Sequence, residues 1–266
     1  MSWRFVNSSI PGTSHLESGA LCQDVSVVGI ISCADSDDLL VAVASDGAGS
    51  ASLAHIGAAI ACSVAYENVK AFLSSGVEVP DFASFNPQQL LRDVRLAITE
   101  RAEIDGMTTR DFACTLLVAG VSDTSSMFLQ IGDGAIVIGS EQGRRAVFWP
   151  EAGEYANMTY FVTDESAGDH LQVSVVADVL SEIAVFTDGL QRLALRYDER
   201  CPHDPFFAPL FQSVRTWTTS HEGLISALVT WMESDAVNSR TDDDKTLILG
   251  VRVVNGGPES RHDNPV

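Results

Sequence analysis

The sequence predicts an α+β fold built on antiparallel sheets. Strand-like apolar runs, rich in β-branched residues, dominate both ends of the chain. Helical patterns come in two blocks and do not alternate regularly with strands, which disfavours a parallel β-α-β arrangement. No linker separates two cores and no internal repeat is visible, so residues 1–254 are expected to form one domain. The polar stretch 255–266 is expected to be a disordered tail.

Each element of the first half has a local justification. The apolar runs at 25–31 and 39–45 predict two strands. Apolar residues near helical spacing, together with many alanines, then predict a helix over 50–74. Asn86 followed by Pro87 is a cap and a first-turn proline, which predict a second helix over 88–104.

The second half of the chain is mainly β in its pattern. Ser220 is a candidate cap for a helix over 222–233, and the aromatic stretch 202–209 is expected to be a loop. The remaining strands are predicted at 112–121, 127–138, 146–149, 161–162, 172–176, 182–187 and 246–254.

The charge balance excludes several classes of partner. The chain has 266 residues, with 16 Lys and Arg against 36 Asp and Glu, which gives a formal net charge of −20. An overall field of this sign disfavours nucleic acids and anionic membrane surfaces as partners. A phosphorylated substrate would need a local reversal of charge, for which bound metal cations are the obvious source.

No segment of the sequence has the pattern of a targeting peptide or a membrane span. The first residues lack an apolar core and a small-residue cleavage pattern. The apolar stretch 39–44 is too short to cross a bilayer, and the stretch 54–65 contains His55 and leads into charged residues. A soluble, cytoplasmic protein is therefore expected.

The cysteines are expected to be reduced thiols, most of them buried. There are five, an odd number, and none forms a Cys-x-x-Cys pair. A zinc or redox role is the less favoured alternative.

Three Asp-Gly pairs are the strongest chemical signal in the sequence. Asp46-Gly47, Asp133-Gly134 and Asp188-Gly189 each follow or interrupt an apolar strand, and an acidic run at 242–244 precedes the final strand. One such pair is commonly a simple turn. Four acidic groups from distant parts of the chain could instead meet at one edge of antiparallel sheets, where metal ions would offset their repulsion.

The ligand types favour Mg²⁺ or Mn²⁺ over zinc or copper, because carboxylate and carbonyl oxygens bind hard cations. Such a centre is typical of two-metal phosphate-ester hydrolysis. The strand, Gly-x-Gly turn and helix around 45–50 could also begin a dinucleotide-binding unit. That interpretation fails because Ser52 occupies the third glycine position and no acidic strand end follows at about 20 residues.

Six short motifs, taken in order, resemble the protein phosphatase 2C (PPM) family, and specifically a bacterial branch of stand-alone phosphatases. That family carries N-Q-D, V-A-D-G-x-G-G, G-T-T, G-D-S-R, T-S-D-G and D-D-N-x-T. The resemblance extends over roughly residues 1–254. The matching segments here are Cys22-Gln23-Asp24, Ala44-Ser45-Asp46-Gly47-Ala48-Gly49, Cys114-Thr115-Leu116, Gly132-Asp133-Gly134, Thr187-Asp188-Gly189 and Asp243-Asp244-Lys245-Thr246.

The resemblance implies a four-layer α-β-β-α sandwich, in which helices flank two central antiparallel sheets and a dimetal centre lies at one end. By motif match, Asp46 would bridge two Mg²⁺ or Mn²⁺ ions and Gly47 would lend its carbonyl. Asp24 would serve one metal, while Asp188 and Asp243 would hold the other.

Asp133 matches a position that can hold a third, looser ion. Asp46 and Asp188 are thus the implied catalytic residues. The implied reaction is attack of a metal-bridging hydroxide on phosphoserine or phosphothreonine.

Several positions depart from the family pattern. Cys22 stands for Asn, Gly134-Ala135 for Ser-Arg and Asp244 for Asn, and the N-terminal phosphate-binding Arg is absent from its usual place. His15 is the candidate phosphate ligand in that segment, with a purely structural histidine as the alternative. Some members carry a general-acid His where this chain has Ala48.

Two functions remain open at this level. The first is a Mg²⁺- or Mn²⁺-dependent serine/threonine phosphatase that acts on a phosphorylated protein. A Ser/Thr protein kinase is then an expected second partner. The alternative is a catalytically weak or inactive module of the same fold that binds phosphoproteins or regulates a kinase, as the departures at Cys22, Ala48 and Gly134 suggest.

Overall fold

Two five-stranded antiparallel sheets form the centre of the molecule, and helices cover their outer faces. The computed structural model describes residues 2–31, 38–73, 82–150 and 159–253. The first sheet has the strand order β1-β12-β9-β6-β7, and the second has the order β2-β3-β4-β5-β8. The strands are β1 (Ser2–Ile10), β2 (Val25–Ile31), β3 (Leu39–Ser45), β4 (Leu116–Val121), β5 (Ser126–Ile131), β6 (Ala135–Ser140), β7 (Gly143–Ala146), β8 (Gln172–Val176), β9 (Glu182–Phe186), β10 (Leu195–Arg196), β11 (Cys201–Pro202) and β12 (Lys245–Val253).

The helices form two outer layers, so the four-layer α-β-β-α prediction is confirmed. The helices are α1 (Thr13–Ser18), α2 (Ala54–Leu73), α3 (Pro87–Asp105), α4 (Gln191–Ala194), α5 (Asp204–Thr216), α6 (His221–Met232) and α7 (Asp235–Asn238). Helices α2 and α3 pack on the second sheet, and α5 and α6 pack on the first. Each interface between layers has its own apolar core.

Strand β3 shows how one short sequence can be buried on both faces. Its side chains alternate, as they must in an extended strand. Leu39, Val41 and Val43 join the core beneath α2 and α3. Leu40 and Ala42 face the other sheet. A strand covered on both faces reads as a continuous apolar run, which is why the sequence indicated it so clearly.

Capping residues fix the helix ends that the sequence predicted. The side chain of Asn86 accepts a hydrogen bond from the Gln89 N–H at the start of α3, and Pro87 occupies the first helical position. Ser220 caps α6 in the same way through the Gly223 N–H. The helices predicted over 50–74, 88–104 and 222–233 are therefore all present, within a few residues of the predicted bounds.

Some element predictions were wrong. Strand β1 was not predicted, because only Trp3, Val6 and Ile10 of its nine residues are buried apolar side chains. The stretch 202–209, expected to be a loop, contains the start of α5, where Pro205 lies in the first turn and does not interrupt the helix. Residues 161–162, expected in a strand, lie outside the strands of the structure.

Helix α2 has one buried face and packs against the second sheet. It is the one helix of the described residues that is long and apolar enough to cross a membrane by length and composition alone. Such a helix is weak evidence for a span, since core helices pass the same test. Its small residues, among them Gly57 and Ala61, are buried against the protein.

The described thiols are free, as predicted, but two of the four are only partly buried. Cys22, Cys62, Cys114 and Cys201 are free, and Cys62 and Cys114 are buried. Cys33 lies outside the described residues, as does the predicted tail 255–266. The single domain over 1–254 stays a prediction.

Candidate active site

The acidic residues singled out in the sequence lie at one end of the sandwich. Asp46 follows β3, Asp133 lies in the turn between β5 and β6, and Asp188 follows β9. Asp24 directly precedes β2, and Asp243 lies just before β12. The antiparallel registers place these strand ends together: Val25 pairs with Ser45, Ala135 with Phe186, and Leu247 with Phe186 on its other side.

Three of the carboxylates form a tight cluster. One oxygen from each of Asp46, Asp133 and Asp188 lies within 4.8 Å of the other two. The three side chains come from three different hairpin or strand-end segments and from both sheets. The convergence expected from the spacing of the Asp-Gly pairs is therefore present in the fold.

Asp24 lies beneath this cluster and is wholly buried. Its Oδ2 accepts a 2.6 Å hydrogen bond from the Thr187 hydroxyl. Among the described residues, no donor reaches its Oδ1, although that atom is shielded from solvent. Asp46 is close enough to Asp24 for the charge of Asp24 to raise its pKa. Two neighbouring carboxylates of this kind favour a shared proton or a cation between them.

Burial and mutual repulsion raise the pKa values of these groups. Burial raises the pKa of Asp24 to about 7, with a smaller contribution from the charge of Asp244. The pKa of Asp188 also rises to about 7, from burial and then the charges of Asp133 and Asp243. Burial, followed by the charge of Asp24, raises the pKa of Asp46 well above its ordinary value. The site is therefore poorly suited to hold its full negative charge alone.

The donor set fits hard divalent cations. The clustered side chains offer oxygen atoms only, which are the ligands that Mg²⁺ and Mn²⁺ prefer. The free Oδ1 of Asp24 is an unused acceptor at the same place. A cation there would offset both the repulsion and the cost of burying these carboxylates. The chemistry of the site thus supports metal binding.

Two glycines allow the site loops to take their shape. Gly134 has φ of +90°, a conformation that side chains disfavour, in the tight turn after Asp133. A Cβ atom on Gly189 would lie 2.0 Å from the Asp244 carbonyl oxygen, so the chain after Asp188 can approach the start of β12 only without a side chain. The glycine of these Asp-Gly pairs is therefore required by the packing around the cluster.

Comparison with known proteins identifies the family. The family model described as protein phosphatase 2C matches residues 11–233. Together with the acidic cluster, this decides the assignment.

The chain belongs to the protein phosphatase 2C family.

Relatives and solved structures agree with this assignment. The chain is 38% identical to serine/threonine-protein phosphatase 3 of Escherichia coli (strain K12) over 94% of its own length and 99% of that protein. The crystal structure of the serine/threonine phosphatase Stp1 from Staphylococcus aureus has a TM-score of 0.63, with 12% identity and 96% of each chain covered. PppA, described as a key regulatory component of T6SS in Pseudomonas aeruginosa, has a TM-score of 0.58, with 13% identity and 94% and 98% of the two chains covered. At such low identity the two structures show the shared fold.

Asp244, one of the departures from the protein phosphatase 2C pattern, ties the N-terminal segment to the site. Its Oδ1 accepts from the Gly12 N–H at 2.7 Å and lies 2.8 Å from His15 Nδ1. Its Oδ2 accepts from the Gln23 N–H at 2.6 Å. An asparagine would offer only one acceptor oxygen for these groups. The carboxylate therefore suits this position better than the family's amide.

His15 lies on α1 close to the acidic residues. Its ring nitrogen Nδ1 lies 2.8 Å from Asp244 Oδ1. The side chain is 21% exposed, so it is accessible from the solvent side. Its role as a phosphate ligand stays a prediction, since this position satisfies both a structural and a substrate-binding role.

Two further departures leave the carboxylates in place. Ala48 is buried beside Ala113, so this member of the family has no proton donor at that position. Burial raises the pKa of the Cys22 thiol to about 12, and its Sγ contacts the Asp24 carbonyl at 3.6 Å. Cys22 is therefore a neutral thiol that supports the Asp24 backbone.

Sequence reasoning missed three hydroxyl residues that orient the carboxylates. Thr187 bonds Asp24, Thr159 donates to Asp133 Oδ2 at 2.7 Å, and the Thr115 hydroxyl accepts from the Asp46 N–H at 2.9 Å. Thr187 and Thr115 lie inside matched motifs, so their positions could have been inspected. Thr159 has no signal in the sequence, because it lies far along the chain from Asp133.

The segment that follows Thr159 is anchored to the rest of the protein. The Val162 N–H donates to the Cys114 carbonyl at 2.9 Å. Arg95 of α3 donates to the carbonyl oxygens of Val162 and Asp164. The segment 163–166 therefore lies in turns that α3 holds in place.

Proposed function

We propose that this protein is a serine/threonine phosphatase that needs two Mg²⁺ or Mn²⁺ ions and hydrolyses phosphoserine or phosphothreonine in a protein. The observation that carries the proposal is the convergence of Asp46, Asp133 and Asp188 in a member of the protein phosphatase 2C family. The 38% identical relative named as a serine/threonine phosphatase supports the substrate class.

The proposed metal ligands follow the motif match. Asp46, with the Gly47 carbonyl and Asp24, would hold one ion, and Asp46, Asp188 and Asp243 would hold the other. Asp133 would join Asp188 at a third, looser ion. When bound, the metal ions would supply Lewis-acid activation of a water nucleophile and positive charge for the phosphoryl oxygens.

The protein's own residues would keep this centre organised. Thr187 holds Asp24 in one orientation, and Thr159 does the same for Asp133. Outer hydrogen bonds of this kind fix the direction of the ligand oxygens and strengthen metal binding. Because Ala48 carries no proton donor, we propose that the leaving group takes its proton from water or from another side chain.

The phosphate is proposed to enter beside α1. His15 lies there, with one ring nitrogen held by Asp244. We propose that the other ring nitrogen contacts the substrate phosphate. His15→Ala would then raise KM for a phosphopeptide and leave kcat within a few-fold of the wild type. A purely structural histidine would instead change stability without a selective rise in KM.

The substrate preference, the partner and the cellular compartment of the enzyme are also proposed here. The net charge of −20 favours basic phosphopeptides over acidic ones, because like charges slow association. A Ser/Thr protein kinase that makes the substrate is the proposed functional partner, and the cytoplasm is the proposed compartment.

A phosphopeptide assay tests the catalytic proposal. A phosphothreonine peptide is incubated with wild-type protein and Mg²⁺ or Mn²⁺, and released phosphate is measured. Asp46→Asn should lose nearly all turnover while keeping its circular dichroism spectrum. Asp105→Asn, an exposed change at the end of α3, is the matched control and should keep wild-type turnover. Equal turnover in Asp46→Asn and the control would refute the proposal.

No observation favours the alternative of an inactive binding module. The departures at Cys22, Ala48 and Gly134 leave the acidic cluster intact. Tight phosphopeptide binding without turnover in excess Mn²⁺ would be needed to reopen it.

A further inference from the structure

A cavity of about 440 Å³ lies between α5, α6 and the outer face of the first sheet. Its volume is in the range of small-molecule sites. Its walls are mainly apolar, with a few polar groups at the edge. The apolar residues that define it are Leu193, Phe206, Leu224, Leu228, Trp231 and Leu249.

The two helices form an antiparallel hairpin, so the cavity has two ends: the end beside the α5–α6 connection is called the closed end here, and the other is called the open end. A short connection from Trp217 to Ser220 joins α5 to α6 at the closed end. At the open end, the first turn of α5 meets the last turn of α6, where the rings of Phe206 and Trp231 lie 5.5 Å apart. His203 precedes α5 and Arg240 follows α7, so both line the cavity at its open end.

The polar side chains that line the closed end already donate hydrogen bonds. The indole N–H of Trp217 donates to the Ser220 carbonyl at 3.0 Å. The Ser213 hydroxyl donates to the Pro209 carbonyl at 2.9 Å. Neither group has a free hydrogen left for a ligand carboxylate.

The open end differs, because its polar groups lack partners. His203 Nδ1 is shielded from solvent and makes no hydrogen bond within the described part of the chain. Within the same residues, the Arg240 guanidinium makes no hydrogen bond or ion pair. Asp204, the acidic group at the start of α5, is not in the lining and is paired with Arg144 at 2.7 Å. The open end thus offers a free cation, an unused ring nitrogen and the positive end of a helix dipole.

We propose that this cavity binds an amphipathic carboxylate, whose apolar chain lies between α5 and α6 and whose carboxylate is held by Arg240 and His203. The apolar walls suit a hydrocarbon body, and a buried unpaired nitrogen suits an acceptor oxygen. The overall charge of −20 repels anions in general, so binding here depends on the local cation. The cavity volume of about 440 Å³ lies in the range of small-molecule sites and suits a medium-chain fatty acid.

Isothermal titration with dodecanoate, kept below its micelle concentration, tests the proposal on the full chain. Wild-type protein should bind one molecule, and dodecanol should bind at least about tenfold more weakly, since a hydrogen bond to a charged group contributes at this level. Arg240→Gln should weaken dodecanoate binding by a similar factor. Ala227→Phe, which places a ring at the cavity edge, should abolish it.

Matched variants separate this site from the acidic centre. Arg92→Gln removes an exposed cation on α3 whose side chain donates to Gln89, and it should bind dodecanoate as the wild type does. Asp188→Asn should also bind normally, because the cavity is distinct from the acidic cluster. The proposal is overturned if wild-type protein binds no dodecanoate, if Arg240→Gln binds as tightly as Arg92→Gln, or if Asp188→Asn loses binding.

Discussion

The raised pKa of Asp24 leads to an unusual pH dependence in the metal-free protein. The folded state keeps a proton on this wholly buried carboxyl up to about pH 7, whereas the ordinary value is 3.8. Between these two values the folded protein binds more protons than the unfolded chain. The free energy of unfolding must therefore fall as the pH rises through this window, and the fall is complete above the folded-state pKa.

The size of the effect follows from the two pKa values. A carboxyl that titrates at 3.8 when unfolded and at about 7 when folded costs about 2.5 kcal/mol between pH 5 and pH 7.5. Asp188, whose pKa is also raised to about 7, acts in the same direction. The two contributions do not simply add, because both groups belong to one cluster.

Urea denaturation of chelator-treated protein at pH 5 and pH 7.5 measures this change. The free energy of unfolding should be lower at pH 7.5 by at least about 2 kcal/mol. Asp24→Asn should show a smaller decline than wild type, and Asp105→Asn should decline as wild type does. Adding Mn²⁺ at pH 7.5 should restore stability, by about 2.7 kcal/mol at one hundred times its dissociation constant. A metal-free stability that rises or stays constant over this range would refute the reasoning, as would an Asp24→Asn decline as steep as that of the wild type.

Three substitutions test the structure around the cluster. Thr187→Val removes the hydrogen bond to Asp24 and should weaken Mn²⁺ binding by about 10- to 100-fold in a calorimetric titration. Thr187→Ser keeps a hydroxyl and should retain the wild-type affinity. Equal affinities in the two variants would contradict the orienting role of this hydroxyl. Asp244→Asn leaves a donor of the N-terminal segment unpaired and should lower the free energy of unfolding by about 1–3 kcal/mol in urea denaturation. An unchanged midpoint would count against this role of the carboxylate. Gly189→Ala puts a methyl group 2.0 Å from the Asp244 carbonyl and should lower stability by about 1–3 kcal/mol in the same measurement, whereas wild-type stability would show that the turn can shift freely.

The sequence was most informative where one local pattern determines one element. Strands buried on both faces, such as β3 and β9, read as continuous apolar runs, and the caps at Asn86 and Ser220 mark helix starts. It was least informative for β1, whose polar residues are positioned by pairing with β12 over its whole length. That pairing joins opposite ends of the chain, so no local pattern reveals it.

The same distinction applies to the candidate site. The Asp-Gly pairs are visible because the carboxylates and their glycines are adjacent in sequence. Thr159 and Asp244 are different, since their roles depend on partners far away in the chain: Asp133 for the first, and Gly12 and Gln23 for the second. Only the assembled fold shows which distant groups meet the acidic cluster.

Hydrolysis of p-nitrophenyl phosphate by wild-type protein and Asp188→Asn, each with Mn²⁺ and with excess chelator, tests the metal-dependent phosphatase most directly. We expect turnover only in wild-type protein supplied with Mn²⁺, with both proteins folded by circular dichroism. Turnover that survives chelation, or that is unchanged in Asp188→Asn, would contradict a metal-dependent centre built on these carboxylates.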